Sequence, residues 1–202
     1  SSAASDVYKR QQWYHFGDYT PFNYSYDIDE TTKAALQRFD SGIEPKLCGG
    51  TMDSDNNNTA LKRLMPLAFY LLTKNQHYVF NEATVKLIHD YTATTNRTPK
   101  TFIGSGILTN VIIRLIQNPN KYAMLRAVKE ALDYYRSQDE YAAQVPFFEQ
   151  LEEAHFLRQS STKLRPSSDV IATLNAVFWC LMNSEQYLSL IHISEPTRLR
   201  RI

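Results

Sequence analysis

Apolar residues along this chain recur every three to four positions, the period of a helix rather than a strand. Leu61, Leu64, Met65, Ala68, Phe69 and Leu72 fall on one stripe and predict a helix over about 59–74. Leu67 and Leu71 lie off that stripe, so this helix is expected to be buried nearly all round, with Pro66 bending it. A further helix is predicted over 79–91. Ile103, Ile107, Leu108, Val111, Ile112, Leu115 and Ile116 define another over 99–117. Pro119 precedes a helix over 120–136 that turns Leu125, Val128 and Leu132 inward, and a short helix is expected near 146–153. The last carries Val170, Leu174, Val177, Phe178 and Leu181 and starts just after Ser167-Ser168, which are read as capping types. Near the N-terminus Asp27 is expected to cap a helix with Glu30 at its third position, running to about Phe39 and stopped by Ser41-Gly42. No run alternates with period two and no segment repeats. The fold class is all-α, a compact multi-helix domain.

The interruptions are as informative as the stripes. Residues 43–58 hold Pro45, Gly49, Gly50 and a polar Asp/Asn run, which predicts a long loop that is ordered or functional. Gly104-Ser105-Gly106 sits inside a predicted helix; small residues there imply close approach of a neighbouring backbone or a ligand. Residues 160–168 read as a polar linker.

The two ends do not read like the rest. Ser1–Gln11 (SSAASDVYKRQ) and Leu188–Arg198 (LSLIHISEPTR) resemble in-frame translations of the paired adapters of transposon-based sequencing libraries. Residues 1–11 and 188–202 are therefore expected to be adapter-derived, leaving 12–187 as the central part of one domain truncated at both ends. Removing the ends takes away Lys9, Arg10, Arg198, Arg200 and Arg201 against Asp6 and Glu195, and moves the net charge from +1 to −2.

With that charge, no basic stripe remains for nucleic acid. The uncharged run after Asp169 is shorter than the roughly 20 apolar residues of a membrane span. Cys48 and Cys180 support neither a disulfide framework nor a zinc site, so a soluble cytoplasmic setting is expected. Asn23, Asn57 and Asn96 begin Asn-x-Ser/Thr sequons, read here as chance in an Asn/Thr-rich chain. His15, His77, His89 and His155 lack metal-ligand spacing, and His89 reads as a satisfied boundary residue on its helix. The densest polar cluster is Asp53, Asp55, Asn56, Asn57 and Asn58. By residue type it reads first as a solvated turn. The sharper alternative is a loop whose free N–H groups at a helix start suit a phosphate.

Several blocks, in order, sharpen that choice. Asp27-Ile28-Asp29-Glu30-Thr31-Thr32 with Ala35-Leu36, Cys48-Gly49-Gly50, DNNNTALKRLMPLAF at 55–69, TNRTPKTFIGSG at 95–106 and SSDVIATLNAVFWCLMNSEQY at 167–187 resemble the ADP-ribosylglycohydrolase family. The resemblance implies an all-α hydrolase that cleaves the N- or O-glycosidic bond between ADP-ribose and a protein side chain or small acceptor, using two Mg²⁺ or Mn²⁺ ions. It implies that Asp55, Asn56, Asn57, Asn58 and Thr59 hold the ADP-ribose, with Asn96, Ser167, Ser168 and Asp169 beside them. Asn58 matches the Asn of the family's GNGxxMR-type loop and Arg63 its Arg. The flanking glycines are replaced by Asn57 and Thr59, and the Met by Lys62. The histidines of the family's THxHP segment appear as Asn96 and Thr98, and the Gly-Tyr after its paired serines as Asp169-Val170. The family's Asp-rich metal segments, TDDT-like and GGDTDT-like, are absent. They are expected before Gln12 and after Tyr187, so no metal ligand or catalytic acid is assigned, and the chain by itself is expected to be inactive. A degenerate, non-catalytic relative is the alternative.

Overall fold

The computed structural model describes residues 2–74, 77–153, 164 and 167–184. The helices are α1 (Ser2–Phe16), α2 (Glu30–Asp40), α3 (Leu64–Lys74), α4 (Glu82–Thr92), α5 (Pro99–Gln117), α6 (Lys121–Arg136), α7 (Asp139–Ala142) and α8 (Val170–Asn183). Short 3₁₀ turns fill several connections, and the described residues hold two isolated β-bridges and no strand. The chain is all-α.

α5 is the axis of the molecule, packed against α3, α4, α6 and α8. Its Ile103, Ile107 and Val111 share one buried face, and buried Thr109 and Ile113 lie well round from it, so neighbours cover it on several sides. Gly104 and Gly106 make two of those contacts possible. A Cβ on Gly104 would stand 2.6 Å from Val170 of α8, and one on Gly106 would collide with the Tyr135 hydroxyl of α6. The small residues thus admit neighbouring side chains rather than a ligand. On the outer side of α5, Arg114 pairs with Glu130 of α6 at 2.7 Å.

Two expected element starts are corrected. Asp29, not Asp27, caps α2: its carboxylate accepts from the Thr32 N–H at 2.9 Å, whereas Asp27 has φ +53° and lies outside the helix. Asp169, rather than the paired serines, caps α8, accepting from the N–H groups of Ile171 and Ala172. In both cases a carboxylate adjoins the first helical residue and reaches the free N–H groups directly.

The helix expected over 59–74 also differs. Leu61–Arg63 form a 3₁₀ turn and α3 begins only at Leu64, so Pro66 falls in its first turn, where its missing N–H costs little and no bend is needed. Nor is α3 buried all round. Leu64, Leu67, Ala68 and Leu71 face inward, whereas Met65, Phe69 and Tyr70 are exposed. Met65 and Phe69 join Leu108, Ile112, Ile116 and Val177 along an apolar groove of about 560 Å³.

α1 crosses the Gln11–Gln12 boundary without a break. The helical propensity of those residue types says nothing about where they came from. His155, most of the 160–168 linker and the 188–202 end lie outside the described residues.

Candidate functional site

The starts of α2, α5 and α8 converge on the 50–59 loop. Gly50 bridges to Asn96 and Asn57 to Asp169, stitching that loop to the turn before α5 and to the segment before α8. The Gly50 N–H donates to Thr95 O, and the Arg97 N–H donates back to Gly50 O at 2.7 Å. On the other side the Asn58 N–H donates to Ser168 O, and the Val170 N–H to Asn56 O. A Cβ on Gly49 would collide with Ala93 O and the Asn96 backbone, so the close crossing needs glycine there, and one on Gly50 would displace the Asp55 carboxylate.

Asn96 is the hub. It is 0% exposed and donates to Asp55 O at 2.8 Å and Asn57 Oδ1 at 3.2 Å, while its own Oδ1 accepts from the Thr95 hydroxyl at 2.6 Å. Arg63 lies beneath, donating to Thr95 Oγ1, with its guanidinium over the Tyr91 ring at 5.3 Å. Burial lowers the Arg63 pKa to about 10, which leaves it a cation at neutral pH. Thr98 caps α5 through the Thr101 N–H and donates to Asn56 Oδ1.

Each expected site residue falls on this one patch. Asp55 is half-buried, and its carboxylate accepts from the Met52 N–H at 2.9 Å. Asn56 is buried and donates to Asp53. Asn57 Nδ2 donates to Thr31 Oγ1 at 2.6 Å, and its side-chain Oδ1 accepts from the Thr59 N–H. Asn58 donates to Thr173 Oγ1 at 3.1 Å, and Thr59 to Asp29 Oδ1 at 3.1 Å. Ser167 and Ser168 are exposed; the Ser167 hydroxyl accepts from the Asp169 N–H. Thr31, Thr95 and Thr173 were not expected here. All three lie inside the blocks that carry the family resemblance, at 27–32, 95–106 and 167–187, and that is the signal each one has; nothing else in the sequence sets them apart from other threonines.

Most side chains at this patch are committed to one another, which makes it a rigid frame. The N–H groups of Asn58 and Thr59 already donate to Ser168 O and Asn57 Oδ1, so what it can offer a ligand as it stands is the edges of half-buried Asn57 and Asn58. A pocket of about 180 Å³ opens beside Asn58, lined also by Lys62, Leu108, Thr173 and Val177. Ligand clefts usually run ~300–1,000 Å³, so this pocket takes only part of a dinucleotide-sized molecule.

The blocks that build this frame are those of one family. The ADP-ribosylglycohydrolase family model matches residues 2–194. This chain belongs to that family. No curated protein matches it. In this ADP-ribosylglycohydrolase family member the patch is acidic. Asp53 and Asp55 lie in the loop with Asp29 and Asp169 beside it; Arg63 is turned under it, and Lys62 lines the pocket beside Asn58. The same carboxylates do not make a metal centre. Those of Asp29, Asp55 and Asp169 are taken up by N–H and hydroxyl donors, and among the described residues no three His, Cys, Asp or Glu side chains converge. Hard divalent cations need several such oxygens at once, so these residues by themselves do not fit a divalent-metal site.

Proposed function

We propose that residues 12–187 form the substrate-loop portion of a metal-dependent enzyme that removes ADP-ribose from modified proteins or similar small ADP-ribosyl acceptors, cleaving an N- or O-glycosidic bond. Two Mg²⁺ or Mn²⁺ ions would polarise the ribose and organise water, held by Asp-rich segments that this chain does not contain. The chain's own part is to bind. The backbone of Asp55–Thr59 would hold the phosphates and ribose, with Asn96 fixing that backbone from below and Ser167–Asp169 bordering it. The observation that supports this reading is the pair of bridges that brings the 50–59 loop against both the α5 and α8 starts. A cytoplasmic setting suits free Cys48 and Cys180.

One observation favours the degenerate alternative. The Asp169 carboxylate occupies the N–H groups of Ile171 and Ala172, the donors an anion would use at that helix start. A diphosphate placed there meets a like charge unless a cation intervenes.

Incubating the purified chain with an ADP-ribosylated protein and Mg²⁺ or Mn²⁺ tests the catalytic half. No release of ADP-ribose is expected, whereas the longer gene product carrying both Asp-rich segments is expected to turn over. Release by the chain alone would overturn the assignment of the ions to segments outside it. A longer product that has lost either segment would establish the non-catalytic reading.

A further inference from the structure

The connection between α1 and α2 is an exposed aromatic segment. It reads Gly17-Asp18-Tyr19-Thr20-Pro21-Phe22-Asn23-Tyr24-Ser25-Tyr26-Asp27, and it presents aromatic rings to solvent rather than to the core. Tyr19 is 78% exposed, and Phe16, Phe22, Tyr24 and Tyr26 are each more than half exposed. The rings form a group: Phe22 stacks on Tyr24 with centroids 5.8 Å apart and meets Tyr26 at 5.9 Å.

The connection is held in place, not loose. Gly17 has φ +70° and packs so tightly under Asn23 and Tyr24 that a Cβ there would collide with their backbone. The Thr20 hydroxyl lies 2.7 Å from Gly17 O and 3.1 Å from Tyr24 O, and the Ser25 hydroxyl donates to Tyr14 O at 3.0 Å. Tyr19, Asn23 and Asp27 all sit in the left-handed region, with φ of 67°, 54° and 53°. Asn and Asp adopt that conformation readily, but for Tyr19 it is uncommon and is set by the tight Gly17–Thr20 turn. Exposed rings on an imposed backbone form a contact surface ordered before any partner arrives.

Its charge has one sign. Asp18, Asp27, Asp29 and Glu30 stand among or next to the rings, and no Lys or Arg occurs from Gly17 to Glu30. Asp29 is engaged as the α2 cap; Asp18, Asp27 and Glu30 are exposed. Ring faces beside carboxylates suit a partner carrying both cationic heads and aliphatic stems, which is an arginine- or lysine-bearing polypeptide. A phosphorylated or nucleic-acid partner would meet repulsion. The surface is also tied to the candidate site: past Asp27 the chain continues directly to Asp29 and Thr31, which bond Thr59 and Asn57.

We infer that the acidic aromatic connection 16–30 docks a basic segment of polypeptide beside the candidate site. Calling that polypeptide the modified substrate rests on the function proposed above; the docking itself does not.

The test uses the whole chain and two fluorescein-labelled peptides, one alternating Arg with Ser and one alternating Glu with Ser, read by anisotropy. The Arg peptide is expected to bind more tightly than the Glu peptide, and to weaken as salt is raised. Phe22→Leu and Tyr24→Leu keep apolar bulk but remove the ring face, and each is expected to weaken the Arg peptide about two- to fivefold. Asp18→Asn and Asp27→Asn are expected to weaken it further in combination; Asn also tolerates the left-handed backbone of position 27. Far-UV circular dichroism confirms that each variant keeps its helices. Equal binding of the two peptides overturns the inference, and so does a loss confined to the acid variants with the rings dispensable. Arg-peptide binding in a chain that fails to bind ADP-ribose would leave this inference standing and sink the proposed function instead.

Discussion

Asn96 shows how much of this site rests on a single side chain. Truncating it to Ala removes the donors to Asp55 O and Asn57 Oδ1 and leaves those acceptors, with the Thr95 hydroxyl, facing a small void. Each buried group left unsatisfied costs about 1–3 kcal/mol, so Asn96→Ala is expected to lose about 2–4 kcal/mol in urea unfolding. A loss under about 0.5 kcal/mol would mean that water replaces the amide. His89 gives a second residue-scale outcome. Tyr135 donates to Phe102 O, so its oxygen must accept from His89 Nε2–H at 2.9 Å, leaving Nδ1 to accept from Tyr141 at 3.3 Å. The ring is held neutral between Phe102 and Tyr135, and burial lowers its pKa to about 4. Because the unfolded ring titrates near 6.5, the unfolded state binds the extra proton first as the pH falls. Stability is therefore full above about pH 6.5 and declines toward pH 4, by up to about 3 kcal/mol. His89→Gln should flatten that part of the profile, and an identical slope in the variant would show that His89 is not its source. The sequence shows His89 only as a boundary histidine on a helix; its two tyrosine partners come from α6 and α7, which no local pattern connects to it.

Elements were most legible where one stripe and one cap agreed. α5 starts at Pro99 and ends at Gln117, and α6 ends at Arg136, as the apolar period and the flanking Pro and Asn residues imply. The period failed on α3 because a 3.6-residue stripe was extended through a 3₁₀ turn. Past Leu61–Arg63 the phase of the buried face changes, which brings Leu67 and Leu71 inward and leaves Met65 and Phe69 outside. At the caps, Asp27 and Asp29 are equivalent by residue type, and only the left-handed backbone at Asp27 separates them. The α5 glycines provide an element-scale test of opposite signs. Helix propensity alone makes Gly→Ala stabilising by about 1 kcal/mol. Packing against Val170 and Tyr135 reverses this, so Gly104→Ala and Gly106→Ala are each expected to lower stability by about 1–3 kcal/mol. A rise in melting temperature for either would show that α6 or α8 can move away. Asp169→Asn keeps the α8 cap while removing its charge, and is expected to strengthen ADP-ribose binding several-fold. Unchanged affinity would remove the Asp169 carboxylate as an obstacle to the diphosphate.

At the scale of the whole molecule, the groove along α3, α5 and α8 leaves Met65, Phe69, Ile116 and Val177 in solvent. Exposed apolar surface of this kind favours association, so the chain alone is expected to self-associate in size-exclusion chromatography and to bind a hydrophobic dye before it unfolds. A monodisperse sample with one sharp thermal transition would contradict that. The family and the position of the candidate site were readable from ordered blocks of sequence. The reason the blocks lie together was not, because it depends on the Gly50–Asn96 and Asn57–Asp169 bridges between distant parts of the chain. The acidity of the finished patch is likewise a property of the fold. The central claim is that the Asp55–Thr59 backbone holds ADP-ribose, and backbone amide shifts during an ADP-ribose titration of the isotope-labelled chain test it most directly. Saturable shifts centred on Asn57, Asn58 and Thr59 and extending to Asn96 and Ile171 are the expected result. Shifts elsewhere, or none at millimolar ligand, would contradict it.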